Sequence, residues 1–208
     1  MKHILVALFF LLSLTATARA DYESAMAAYK QANYETALKE LRPLAEQGDA
    51  KAQNTLGWMY RQGQGAPQDY SEAQKWFRKA ADQGFAKAQI NMGIMYEEGI
   101  GVKQDSAEAL SWYQKAADQG DAWGQNNLGM LYKEGKGIPQ NYREALIWYR
   151  KAADQGLAKA QFQLGLMYEQ GLGVQQDAAE ASRWYQKAAD QGFEEAKSKL
   201  ATTKTKAQ

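Results

Sequence analysis

The stretch Trp76-Phe77-Arg78-Lys79-Ala80-Ala81-Asp82-Gln83-Gly84 returns as Trp112 to Gly120, Trp148 to Gly156 and Trp184 to Gly192, each time 36 residues further along. A fixed period of this length marks one small unit repeated, because such a unit buries its apolar face only against its neighbours. In each copy the stretch reads as the end of a helix, stopped by Gly84 or its counterpart. It carries a fold and no chemistry of its own.

Working outward, each unit divides into two helices. The second opens at Asp69, Asp105, Asn141 or Asp177, with Glu72, Glu108, Glu144 or Glu180 three residues on, the spacing of an N-cap and a reciprocating capping-box glutamate. Ala73, Trp76, Phe77 and Ala80 form its apolar face, so the four equivalent tryptophans read as core struts. In the first helix Ala52, Leu56, Met59 and Tyr60 recur at i, i+4, i+7 and i+8, a single stripe. Gly57, repeated as Gly93, Gly129 and Gly165, lies beside it. A mid-helix glycine costs about 1 kcal/mol against alanine, so close approach of a neighbouring helix is expected there. Gly63 and Gly65 and their copies suit a helix end and a turn. A phosphate-cradling loop is disfavoured, since no strand precedes them and no Lys-Ser/Thr follows.

The ends differ from the array. Lys2 and His3, the apolar run Ile4 to Leu14 and Ala18-Arg19-Ala20 have the layout of a secretory signal, predicting residues 1–20 as a signal peptide and a mature start at Asp21. The apolar run is too short for the roughly 20 residues that span a bilayer. Residues 21–48 read as an N-terminal helical hairpin resembling a tetratricopeptide unit, with Ala25, Ala28 and Tyr29 on one face and Tyr34, Ala37, Leu38 and Leu41 on the next. Pro43 should bend or loosen its second helix. Repeats then run 49–84, 85–120, 121–156 and 157–192. A polar capping helix is expected over 193–201 and a disordered tail over 202–208.

Composition removes whole classes of function. The 208-residue chain has no cysteine, and its one histidine is His3, so a mature chain has neither imidazole nor thiol for metal binding, base catalysis or nucleophilic attack. No catalytic residues, metal or cofactor are expected, and the fold must stand without disulfides. Without Lys2 and Arg19 the formal charge falls from +1 to −1, which gives no field to attract nucleic acid or anionic lipid. No nucleic-acid role and no stable membrane insertion after signal cleavage are expected.

The pattern Ala-x-Ala-Gln-x-x-Leu-Gly-x-Met-Tyr-x-x-Gly-x-Gly-Val, then Asp-x-x-Glu-Ala-x-x-Trp-Tyr-x-Lys-Ala-Ala-Asp-Gln-Gly, resembles the Sel-1-like repeat, a relative of the tetratricopeptide repeat with a longer internal loop. Leu157 to Gly192 matches it best, and four copies cover Asp49 to Gly192. The resemblance implies an all-α fold, a right-handed α/α superhelical solenoid of antiparallel helix pairs with 36-residue repeats. It also implies a scaffold or adaptor between proteins, often exported in bacteria, here periplasmic or secreted. Trp123 departs from Lys51, Lys87 and Lys159, and Gly124 from Ala52, Ala88 and Ala160. Gly124 removes a methyl group and leaves room for a ligand chain or for the indole.

In such a solenoid the first helices line the concave face. The stripe beside the core there places Trp58 and Arg61 in the first repeat, Ile90 and Ile94 in the second, Trp123, Asn126, Met130, Lys133 and Glu134 in the third, and Phe162 and Leu166 in the fourth. Its apolar middle and charged edge suit a contact patch with a polar rim. Packing of Trp58, Ile94, Met130 and Leu166 against adjacent second helices is the competing reading for each. The function expected is non-enzymatic binding of a protein or peptide partner in this groove. The alternative is a cell-wall glycan or small-ligand binder using the aromatics with Asn126, Asn127 and Gln163, with a carboxylate-only hydrolase third.

Overall fold

The computed structural model describes residues 21–206, and the side chains of 21–201. The signal reading of residues 1–20 lies outside the described residues. Helix α1 covers 21–30, followed by α2 (Tyr34–Glu46), α3 (Ala50–Gln62), α4 (Tyr70–Asp82), α5 (Ala86–Glu98) and α6 (Ser106–Asp118). Then come α7 (Ala122–Glu134), α8 (Tyr142–Asp154), α9 (Ala158–Gln170), α10 (Ala178–Asp190) and α11 (Glu194–Lys206). The fold is an all-α solenoid of helix pairs, with no strand among the described residues. Its contacts divide it into two compact units: the first runs to Met95 and includes Ile100–Lys103, and the second comprises Tyr96–Gly99 and the chain from Gln104 on.

Each helix from α2 to α11 has 13 residues, about 20 Å of rise, too short to persist alone in water. Packing therefore carries them. In α4, Ala73, Trp76, Phe77, Ala80 and Ala81 are buried, and α10 repeats the set with Ala181, Trp184, Tyr185, Ala188 and Ala189. Trp76, Trp112 and Trp184 are 2–4% exposed, whereas Trp148 is only half-buried and does not share their strut role fully.

The mid-helix glycines make room for a ring. A Cβ on Gly57 would lie 2.5 Å from Phe77, one on Gly129 3.0 Å from Tyr149, and one on Gly165 would collide with Tyr185. Gly63, Gly135 and Gly171 end their helices in the left-handed region at φ 68° to 70°. The second glycine of each turn sits against the start of the preceding second helix, as Gly173 does against Tyr142.

Within each unit two side-chain ladders hold successive helix pairs together. Gln53, Gln89, Gln125 and Gln161 are buried, and their Nε2 groups donate to the carbonyls of Ala45, Ala81, Ala117 and Ala153 at 2.9, 3.2, 3.5 and 3.2 Å. In three places the glutamine that follows the next second helix donates to the same buried amide: Gln83 to Gln53 Oε1 at 2.7 Å, Gln155 to Gln125 and Gln191 to Gln161 at 2.8 Å. Buried amides paired in this way avoid the cost of lost hydration.

Some expectations are corrected. Asp69, Asp105, Asn141 and Asp177 do cap the second helices, each accepting two first-turn N–H bonds. The glutamates do not reciprocate: the cap N–H groups donate instead to the carbonyls of Tyr60, Tyr96, Tyr132 and Tyr168 at 2.8–3.0 Å. Glu72 and Glu180 pair with Lys75 and Arg183 on their own helices. Helix α2 continues through Pro43 to Glu46, and the Pro43 carbonyl accepts from Gln47. Helix α11 runs to Lys206, past the boundary expected at 201.

Candidate functional site

The first-helix positions singled out in the sequence divide between the two units. In the first unit Trp58 is half-buried, edge-on to Phe77 with ring centroids 6.2 Å apart, and the Arg61 guanidinium lies 5.0 Å from the Trp58 ring centre. Ile90 is buried at 9% exposure and Ile94 is half-buried. Trp58 thus packs onto a second helix, as its competing reading had it.

In the second unit Trp123, at the start of α7, is 50% exposed, with Lys159 Nζ 5.8 Å from its ring centre. Asp121 caps this helix, accepting from the N–H groups of Trp123 and Gly124 at 2.9 and 3.1 Å. Gly124 leaves no vacant room: a Cβ there would lie 2.8 Å from Ala116 Cβ and from Ala117 N, so the missing methyl admits α6 rather than a ligand or the indole.

Farther along α7, Asn126 is 1% exposed and donates through Nδ2 to Asn127 Oδ1 at 3.2 Å, while its Oδ1 is buried with no hydrogen-bond partner. Met130 is partly buried against the core of Tyr149, Leu164 and Trp184. Phe162 lies 5.6 Å from Tyr185 and 5.2 Å from Phe193 between centroids, and Leu166 joins the same cluster. These three apolar side chains contribute to packing while keeping part of their surface open.

The rim is internally paired. Lys133 Nζ donates to Gln163 Oε1 at 2.9 Å, and Lys136 bridges Glu134 at 2.6 Å and Glu97 at 3.9 Å. Lys133, Glu134 and Leu166 meet at one open cleft of about 350 Å³, with Tyr142, Met167 and Leu172. Glu97 also accepts from the Tyr113 hydroxyl at 2.7 Å, and Glu169 from Tyr185 at 2.9 Å. Burial first, then these carboxylates, push the Tyr113 and Tyr185 hydroxyls well above the ordinary tyrosine range; burial and then Glu134 do so for Tyr149. These phenols are held neutral and serve as hydrogen-bond donors or packing groups. Among the described residues no three acidic or imidazole groups are placed to hold a metal ion, and no helix is long and apolar enough to cross a membrane.

The sequence reading missed the glutamine ladders, the tyrosine–glutamate pairs and Lys159 beside Trp123. Their signal was present in the repetition of Gln53 and Gln83 through every copy, but repetition alone does not tell a stack-stitching amide from a surface one.

An array of helix pairs that repeats a glycine against a ring every 36 residues defines a helical repeat protein. The Sel1 repeat matches residues 50–85, 86–121, 124–157 and 158–193, and the chain belongs to the Sel1 repeat family. These limits fall within a few residues of those read from the period. A Sel1 repeat protein from Oxalobacter formigenes has 41% identity over 90% of this chain and 74% of its own, with a TM-score of 0.82. The protein c5321, a protective antigen of uropathogenic Escherichia coli strains, has 36% identity and a TM-score of 0.80; the match covers 90% of this chain but 41% of the antigen. The immunity protein Pa5087 from Pseudomonas aeruginosa has 27% identity over 86% of this chain and 68% of its own, with a TM-score of 0.60. No curated protein matches the chain.

Proposed function

We propose that this protein is an exported, non-enzymatic scaffold that binds a protein or peptide partner on its first-helix surface, centred in the second unit on Trp123. The observation that carries the reading is the 50% exposure of this indole at a position where the other repeats keep lysine. An exposed aromatic on a helix that also carries half-buried Met130 and the charged Lys133 and Glu134 has the composition of an interface anchor. Support for export comes from residues 1–20, and the family's repeat fold supports scaffolding rather than catalysis. Arg61, Ile90 and Ile94 would belong to a separate patch on the first unit.

The test replaces Trp123 with the lysine of its counterparts. The wild-type chain and Trp123→Lys serve as baits on bacterial envelope extract, with melting temperatures measured in parallel. Capture of a protein by the wild type and at least tenfold weaker binding by the variant, about 1.4 kcal/mol, is expected with an unchanged melt. Equal capture removes Trp123 from the site, and a collapsed melt returns it to the core. The intact mass of exported protein checks the start at Asp21.

A further inference from the structure

One position of the second helices carries arginine at 42, 78 and 150 but glutamine at 114 and 186. Arg42 donates through Nη2 to the Tyr60 hydroxyl of the following helix, and Arg150 does the same to Tyr168. The Arg150 guanidinium also lies 5.8 Å from the Tyr168 ring centre and 5.7 Å from that of Trp184, so it fills the notch between hydroxyl and indole, and Trp184 is 4% exposed. A guanidinium suits this place because its flat face stacks on a ring while its edge donates hydrogen bonds.

One repeat earlier in the same unit, the equivalent notch between Tyr132 and Trp148 lacks that group. Gln114 is shorter, and its Nε2 donates to Asp118 Oδ1 at 2.7 Å on its own helix. Among the described residues nothing donates to the Tyr132 hydroxyl, and Trp148 alone of the four equivalent tryptophans is half-buried. The ammonium of Lys151 lies 3.8 Å from the Trp148 ring centre, as that of Lys187 lies 3.9 Å from Trp184, so the lysine of the notch is kept and the arginine is not. Beside Trp148 in α8, Ile147 is 46% exposed where the other repeats carry Lys75, Ser111 and Arg183. Lost cover over an indole and a gained exposed apolar side chain thus coincide on one helix. Gln186 creates no second such notch, because it is followed only by α11, which has no tryptophan.

We propose that the notch of Tyr132 and Trp148 receives an arginine side chain from a protein partner. Its guanidinium takes the place that Arg150 takes one repeat later, donating to the Tyr132 hydroxyl and stacking against the Trp148 ring, with Ile147 as an apolar contact beside it. The array itself identifies the occupant, since Arg150 shows which side chain this geometry accepts. A lysine would match the charge but neither the flat stacking nor the forked donors. That the arginine comes from a protein rests on the scaffold reading above; the site itself uses second-helix residues and does not involve Trp123.

The probe is N-acetylarginine N-methylamide, which presents the side chain with its backbone blocked. It is titrated into the full chain to millimolar concentrations while the indole N–H signals are followed by nuclear magnetic resonance. The Trp148 signal, assigned by its loss in Trp148→Phe, should shift and saturate, and the corresponding lysine amide should bind at least tenfold more weakly. Gln114→Arg should melt at or above the wild-type temperature and weaken probe binding at least tenfold, because the chain's own arginine then fills the notch. Gln114→Ala should bind the probe like the wild type. An unmoved Trp148 signal, or equal binding by the lysine amide or by Gln114→Arg, overturns the guanidinium site. Trp123→Lys should leave probe binding unchanged, so failure of the Trp123 surface and failure of this site are read separately. Free L-arginine binding at least tenfold more tightly than the blocked form overturns the protein partner in favour of a small guanidino compound.

Discussion

At the scale of single residues the array is governed by a bargain between glycine and an aromatic ring. By propensity alone Gly165→Ala should stabilise α9 by about 1 kcal/mol. The Tyr185 ring occupies the place of the added methyl, and Tyr185 is 2% exposed within a packed cluster, so it has little freedom to withdraw. Gly165→Ala is therefore expected to lower stability by about 1–3 kcal/mol, measured by urea denaturation. A rise would show that the ring yields. This contact was legible in the sequence, because a glycine that recurs inside a helix demands a close neighbour. The buried Gln161 was not, because its partner is a main-chain carbonyl eight residues earlier, and spacing reveals side-chain faces but not which carbonyls a neighbouring helix leaves free. Trp123 was legible as a departure from lysine, whereas the vacancy beside Gly124 was misjudged, since the sequence cannot show how closely α6 approaches.

At the scale of elements the helices begin as their sequences dictate and join in a way they do not. Asp177 accepts from Ala179 N and Glu180 N at 2.9 Å each, so Asp177→Ala should cost about 1 kcal/mol. A capping box would make Glu180→Gln costly too, but the Asp177 N–H donates to Tyr168 of the preceding helix. Glu180 meets only the largely exposed Arg183, a pair of small value. Thermal melts of the two variants should therefore differ clearly, with Glu180→Gln near wild type; equal losses would restore the capping box. The local pattern failed here because a tertiary carbonyl outcompeted the local carboxylate for one N–H. The same limit applies to the candidate site. Met130, Phe162 and Leu166 sit between the core stripe and the open face, where helical spacing assigns them to neither.

At the scale of the whole molecule one repeated position makes stability depend on pH in one unit more than the other. Phe77 occupies it in the first unit, whereas Tyr113, Tyr149 and Tyr185 occupy it in the second, all 2% exposed or less. Their hydroxyl pKa values lie above the ordinary value near 10, chiefly through burial, with Glu97, Glu134 and Glu169 adding to it. The folded chain therefore keeps these protons at pH values where the unfolded chain releases them. The contribution to stability is fully present below about pH 10 and is lost as pH rises beyond it, at about 1.4 kcal/mol per pH unit for each retained proton. Melting temperature should be level on this account up to about pH 9 and fall above 10. In a repeat array stability is a sum of unit and nearest-neighbour terms, so the loss is local before it is global. Limited proteolysis at alkaline pH should first cut beyond Gln104 and spare the part before Met95. Replacing Tyr113 and Tyr185 together with phenylalanine, the residue already tolerated at 77, should flatten the alkaline decline, because those two protons no longer differ between the folded and unfolded chains. An unchanged decline in that variant would move the alkaline sensitivity to other groups.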